Sequence, residues 1–186
     1  MSSRLPKLIA FDLDYTLWDF WIDTHITPPL TASPTSGALT DAYDTPIEFY
    51  PDVPAILHRL RDAGVVVAAC SRTHAPTVAR EALSLIQIPS KPGSDPATVK
   101  SAISYFGQLE IYPGSKSTHF KALHTATSLP YSEMLFFDDE SRNREVESLG
   151  VTFSLVHSGL DQRTFERGLT EWRRRHLHEV VEDAEG

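Results

Sequence analysis

Residues 8–16, Leu-Ile-Ala-Phe-Asp-Leu-Asp-Tyr-Thr, constrain the fold more than any other stretch of the chain. Leu8 to Phe11 form an apolar run without helical period, which reads as a strand buried on both faces, and such strands belong to parallel sheets covered by helices. The run ends in Asp12 and Asp14, so the strand delivers two carboxylates to a loop at its carboxyl end. Two anions this close repel and partly desolvate each other, and the arrangement is stable only if a cation or a shared proton compensates them. Hard carboxylate oxygens suit magnesium, which binds through one or two carboxylates, waters and a substrate phosphate. In isolation the same pair is a turn with two solvated aspartates, so its meaning depends on what other segments bring to the same place.

Two further apolar runs repeat the pattern. Val65 to Cys70 ends in Ser71-Arg72-Thr73-His74, and Met134 to Phe137 ends in Asp138-Asp139-Glu140. Leu109 to Tyr112 and Val151 to Val156 are further strand candidates. Helices are expected between them: from Pro51 to Gly64 with Ile56, Leu57 and Leu60 on one face, from about Ala75 to Ile86, from Asp95-Pro96 to near Phe106, from near Ser117 with Phe120 and Leu123, from Ser141 to Leu149 stopped by Gly150, and from Asp161 with Phe165, Leu169 and Trp172 in register. This alternation predicts an α/β, doubly wound (Rossmann-like) parallel sheet of about five strands, in which ligands bind beyond the carboxyl ends of the strands. Asp12, Asp14, Ser71, Asp138 and Asp139 converge there. Lys116 joins them from a helix start, where backbone N–H groups favour an anion.

The length of 186 residues predicts one domain over residues 1–186, with an acidic tail at about 180–186. Residues 17–50 are too short and too rich in proline for a domain, and they read as a flap after the first strand, with no separate cap domain. The site should therefore stay open, water being excluded by Trp18, Phe20 and Trp21 or by the substrate itself. His25 is a flap residue within reach of the site. Arg173-Arg174-Arg175-His176-Leu177-His178 reads as a solvated helix end. The hydrophobic fraction of 41% contains no run near the roughly 20 residues of a membrane span, and the first residues do not open a signal peptide. With Cys70 as the single cysteine, a buried structural thiol, a cytoplasmic or nuclear location and no membrane partner are expected. The net charge of −8 argues against nucleic acid as a partner while allowing one phosphate at a locally positive point.

A metal held by Asp12 and Asp138, with Ser71 and Lys116 opposite, would clamp the equatorial oxygens of a phosphoryl group, a reaction that needs positioning and charge neutralisation above all. One aspartate can attack phosphorus, and Asp14 can protonate the leaving oxygen and later deprotonate water. A calcium loop starting at Asp12 fails because Leu17 stands where glycine is required. A cysteine phosphatase loop fails because the residue six after Cys70 is Pro76.

FDLDYT, CSRT with Ser71, YPGSK with Lys116 and FFDDE resemble the four motifs of the haloacid dehalogenase superfamily of phosphohydrolases. LPKLIAFDLDYTLWDFWIDTH, VVVAACSRT, EIYPGSKSTHF and MLFFDDESRN are similar, more closely, to its small eukaryotic magnesium-dependent phosphatases, from about Leu5 to Val156. The resemblance implies a magnesium-dependent phosphomonoester hydrolase with an aspartyl-phosphate intermediate. Asp12 would be the nucleophile and Asp14 the general acid/base. Ser71, Arg72 and Lys116 would bind substrate, and Asp12, Asp14 and Asp138 would form the metal set with Asp139 and Asn143 in support. Phosphotyrosine proteins and phosphorylated sugars are the implied substrates. The chain departs from the pattern by a longer stretch between Ile86 and Leu109 and a different linker from Thr31 to Pro46. A non-catalytic phosphate-binding scaffold and a dehalogenase are the alternatives, the first opposed by the complete residue set and the second having no need of magnesium or of Asp14.

Overall fold

The structure is a computed structural model and describes residues 4–91, 93 and 99–176. Its elements in chain order are β1 (Leu8–Phe11), α1 (Ile22–His25), β2 (Thr31–Ala32), β3 (Leu39–Thr40), α2 (Val53–Asp62), β4 (Val66–Ser71), α3 (Pro76–Leu85), β5 (Gln87–Ile88), β6 (Lys100–Ser101), β7 (Gln108–Ile111), α4 (Lys116–Thr127), β8 (Met134–Asp138), β9 (Thr152–Leu155) and α5 (Gln162–Arg175). Among the described residues, three 3-10 helices cover Ala102–Tyr105, Tyr131–Glu133 and Ser141–Leu149. Five strands form a parallel sheet in the order β7-β4-β1-β8-β9.

The apolar run of β1 lies at the centre of this sheet, with Leu8 opposite Val66 on one side and Met134 on the other. Its alternate residues feed two cores. Ile9 and Phe11 join Leu135, Phe137 and the apolar faces of α2, α3 and α5, whereas Leu8 and Ala10 join Phe136, Cys70, Phe120 and Leu123 under α4. Burial on both faces explains why these strands are continuously apolar. Helix α5 lies close to the sheet because residue 168 is glycine: a Cβ there would stand 2.5 Å from the Phe137 ring.

The flap packs down as well. Ile22, Ile26, Leu30, Leu39, Ile47 and Phe49 are buried in the larger core, and β2 and β3 pair antiparallel. Asp41 fastens this segment by accepting backbone N–H bonds from Thr27, Tyr43 and Thr45, each at 2.9 Å. The first of these bonds, opposed by partial burial and reinforced by the other two, lowers its carboxyl to about 2.

Two sequence expectations are corrected, and a third, the helix over Ser141–Leu149 stopped by Gly150, forms with those bounds. Of the helix expected between 95 and 106, Asp95 and Pro96 lie outside the described residues. Residues 97 and 98 also lie outside the described part, and 99–106 are not α-helical, because Lys100–Ser101 pairs with Gln87–Ile88 and the Ala102 N–H bonds Ile86 O. Ser141–Leu149 winds as a 3-10 helix, with only Asn143 and Val146 buried. His176 is buried, not solvated: its ring stacks on Trp172 at 4.2 Å and Nδ1 meets the Trp172 carbonyl at 2.7 Å. Residues 177–186, with His178 and the acidic tail, lie outside the described part.

Candidate active site

At the carboxyl end of the sheet, β1, β4 and β8 stop side by side, and a cavity of about 460 Å³ opens over them. Asp12, Asp14, Ser71, Arg72, Lys116, Asp139 and Asn143 line it. Asp138 lies beneath, fully buried.

Lys116 is the cation that the opening carboxylates require. Its Nζ donates to Asp12 Oδ1 at 2.5 Å and to the Cys70 carbonyl, and it lies 3.2 Å from Asp138 Oδ2. The lysine is only 1% exposed. Burial opposes its charge, but Asp12 and Asp138 outweigh burial and hold the ammonium above the ordinary lysine range. Ser115 caps α4 by accepting the Thr118 N–H, which sets the direction in which Lys116 leaves the helix.

Asp12, Asp138 and Asp139 each offer an oxygen within 4.8 Å of the others. Three hard donors so grouped fit a magnesium ion, with oxygen ligands at about 2.0–2.1 Å and waters completing the octahedron. The electrostatics agree. Burial raises the Asp12 carboxyl well above the usual carboxylate range, Lys116 pulling it down and Asp138 and Asp14 pushing it up. Burial, with Asp138 and Glu140, raises Asp139 to about 6. A divalent cation would relieve this crowding of negative charge.

Asp14 departs from the expected metal set. Its carboxylate is not among the clustered oxygens; Oδ1 instead accepts Trp18 Nε1–H at 2.7 Å and the Ile22 N–H at 3.3 Å. The carboxylate of Asp139, expected only in support, is among them. Burial, moderated by those two bonds, raises Asp14 to about 6, a value suited to an acid near neutral pH. Asn143 holds Asp138, donating Nδ2–H to Asp138 Oδ2 at 2.9 Å and accepting from Arg72 at 3.3 Å. The Glu140 N–H fixes the other oxygen, Asp138 Oδ1, at 2.7 Å.

The flap supplies less aromatic cover than expected. Trp18 and Phe20 are stacked in the core, and Trp21 alone of the three reaches the cavity wall, at 49% exposure. His25 does not line the cavity; it stacks on Trp21 and accepts the Trp21 N–H. Asp23 and His74, unassigned from sequence, close the rim, the His74 N–H donating to Asp23 Oδ2 at 3.2 Å. Their only sequence signal is position, one just beyond the first motif and one at the end of the second.

Comparison with known proteins places this geometry in context. A family described as acid phosphatase matches residues 4–175. A HAD-like hydrolase superfamily protein of Schizosaccharomyces pombe is 50% identical over 153 residues, covering 82% of this chain and 86% of its own. Human magnesium-dependent phosphatase 1 is 44% identical over 168 residues, covering 90% and 87%. Among solved structures, the 3-deoxy-D-manno-octulosonate 8-phosphate phosphatase of Moraxella catarrhalis, in complex with magnesium, phosphate and KDO, superposes with a TM-score of 0.50 at 17% identity, over 84% of this chain and 70% of that one. That likeness carries the fold alone.

Proposed function

The chain belongs to the acid phosphatase family and is a magnesium-dependent phosphatase of the haloacid dehalogenase superfamily; we propose that it hydrolyses phosphomonoesters through an aspartyl-phosphate on Asp12. The observation that carries this reading is the buried contact of Lys116 with Asp12 and Asp138 at the mouth of three parallel strands.

Asp12 attacks phosphorus, the bond to the leaving oxygen breaks, and Asp14 gives that oxygen its proton. Asp14 then takes a proton from water, which attacks the acyl phosphate and releases inorganic phosphate, restoring Asp12. Lys116, Ser71 and Arg72 hold the phosphoryl oxygens while negative charge moves across them. Asp12, Asp138 and Asp139 would hold a magnesium ion, whose chemistry there would be to neutralise charge on the phosphoryl group. Asn143 keeps Asp138 in place. Among the described residues no domain-sized segment covers the cavity, and Trp21 offers a half-exposed aromatic wall, which supports phosphotyrosine in a protein segment as the substrate over a small enclosed sugar phosphate.

Hydrolysis of p-nitrophenyl phosphate should vanish in excess EDTA and return with magnesium. Acid quenching during turnover of a 32P-labelled substrate should trap a hydroxylamine-labile label on Asp12. Undiminished turnover after confirmed metal removal, or a label elsewhere, would contradict the proposal.

A further inference from the structure

The open edge of the sheet is unlike the rest of this acidic molecule. Among the described residues β9 pairs with β8 alone, and along its outer side lies a groove of about 440 Å³ lined by Arg144, Arg167, Arg175 and Glu171. Arg144 lies over the Phe153 ring, and Arg167 donates to the Leu155 carbonyl at 2.8 Å. Arg175 is paired with Glu147 and Glu171 at 2.7 and 2.9 Å. Arg144 also pairs with Glu147, at 3.4 Å; among the described residues Arg167 makes no ion pair, and the three arginines still outnumber Glu147 and Glu171 on a chain whose net charge is −8.

This groove continues toward the active site. His157 lines both it and a second cavity of about 470 Å³, and Asp139 lines both that cavity and the active site. The intermediate cavity also has Tyr15, Tyr50 and Asp19 in its walls. Its floor is fixed, because Tyr50 donates to Asp19 at 2.9 Å and covers Gly159, where a Cβ would meet the ring at 2.4 Å.

We propose that the arginine groove along β9 is a distal subsite that receives an acidic residue of a phosphorylated protein segment whose phosphate occupies the active site. The subsite rests on the phosphatase reading above. The intermediate cavity selects the kind of chain. Its lining carries the Asp19 carboxylate outside the metal cluster and neither lysine nor arginine, so a nucleic acid carrying charge at every nucleotide finds no counter-charge midway, whereas a peptide can cross with neutral residues. Strands lie about 4.8 Å apart, so the path from β1 and β8 across β9 to its outer edge is on the order of 12 Å, about three to four residues of extended peptide. The recognised residue is therefore an aspartate or glutamate three or four positions from the phosphorylated one.

The test compares two phosphotyrosyl peptides, one with glutamates at the third and fourth positions on either side and one with alanines, on the wild type and on Arg144→Ala/Arg167→Ala. p-Nitrophenyl phosphate, too small to touch either arginine, reports on folding and on the phosphatase reading alone, and its turnover should be the same in both proteins. The wild type should favour the glutamate peptide in kcat/KM by about tenfold, the scale of a few exposed charge contacts, with the preference shrinking as salt is raised. The double variant should treat the two peptides alike. Normal p-nitrophenyl phosphate turnover with equal kcat/KM for both peptides in the wild type, or an undiminished preference in the double variant, overturns the subsite and leaves the phosphatase reading standing. Faster hydrolysis of a 3′-phosphorylated oligonucleotide than of the glutamate peptide also overturns it.

Discussion

The two aspartates that follow β1 share a backbone loop and separate sharply in environment, and the separation supports the two roles proposed for them. Asp12 faces Lys116 and the clustered oxygens of Asp138 and Asp139, whereas Asp14 is turned toward Trp18 and Ile22. Asp12→Asn should keep the fold, since it removes a carboxyl that burial already disfavours as an anion, and it should lower kcat by several orders of magnitude because an amide is a poor nucleophile. A circular-dichroism melt alongside the kinetics checks both halves, and residual turnover near the wild-type level would remove Asp12 from the nucleophile's place. Asp14 should show its role through the leaving group. As an acid it acts when protonated, and its carboxyl lies at about 6, so kcat for a poorly leaving alkyl phosphate should fall as pH rises through about 6. A nitrophenolate leaves without a proton, so the same limb should be missing for p-nitrophenyl phosphate. Asp14→Asn should abolish that difference, and an identical pH profile for the two wild-type substrates would exclude the acid role.

At the scale of elements, the flap depends on one buried carboxylate accepting three backbone N–H bonds. Asp41 is lowered to about 2 in the folded chain, so its contribution is complete above its unfolded value near 4 and is lost as pH falls through about 2. Asp41→Asn should therefore lower Tm at neutral pH, and the gap to the wild type should close between pH 4 and pH 2. A gap that is constant over that range would mean that the carboxylate charge is not what holds the segment. This anchor was not legible in the sequence, because Asp41 stands in a stretch of Thr, Ser, Pro and Gly without periodicity, and its partners Thr27 and Thr45 are 14 residues before it and four after. The sheet was legible for the opposite reason: a strand buried on both faces must be apolar along its length, and β1 is so throughout, β4 and β8 up to their last residues, Ser71 and Asp138. Convergence of Asp12, Ser71, Asp138 and Lys116 followed from topology, since parallel strands end on the same side. Side-chain direction did not follow. Whether Asp14 or Asp139 completes the oxygen cluster, and whether Trp18 or Trp21 faces the cavity, depends on local turns and on an indole N–H finding Asp14. The helix expected before Phe106 failed because the edge of β5 offered its backbone groups a partner that no local pattern announces.

For the whole molecule, the same crowding that makes the site reactive links its stability to magnesium. Asp12, Asp14, Asp138 and Asp139 meet at one end of the sheet, with the Lys116 ammonium in contact with two of them and Arg72 at the wall. Folding must bring these charges together, and the unfolded chain, in which they are far apart, has no comparable site for a divalent ion. An ion that binds the native state alone stabilises it by RT ln(1 + [Mg]/Kd), about 2.7 kcal/mol at a hundredfold excess over Kd, and at roughly 2–4 °C per kcal/mol for a chain of this size Tm should rise by about 5–10 °C. Calcium should give a smaller rise, because the larger ion asks for more oxygens than the three carboxylates provide. Asp139→Asn separates this linkage from general screening of surface charge. It removes the charge of one donor without disturbing Lys116, so the magnesium-induced rise should shrink markedly while the effect of an equal ionic strength of sodium chloride stays as in the wild type. Calorimetric melts of both proteins over a magnesium titration decide the matter, and a rise of the same size in Asp139→Asn, or one that sodium chloride reproduces, would show that the ion does not bind at this cluster.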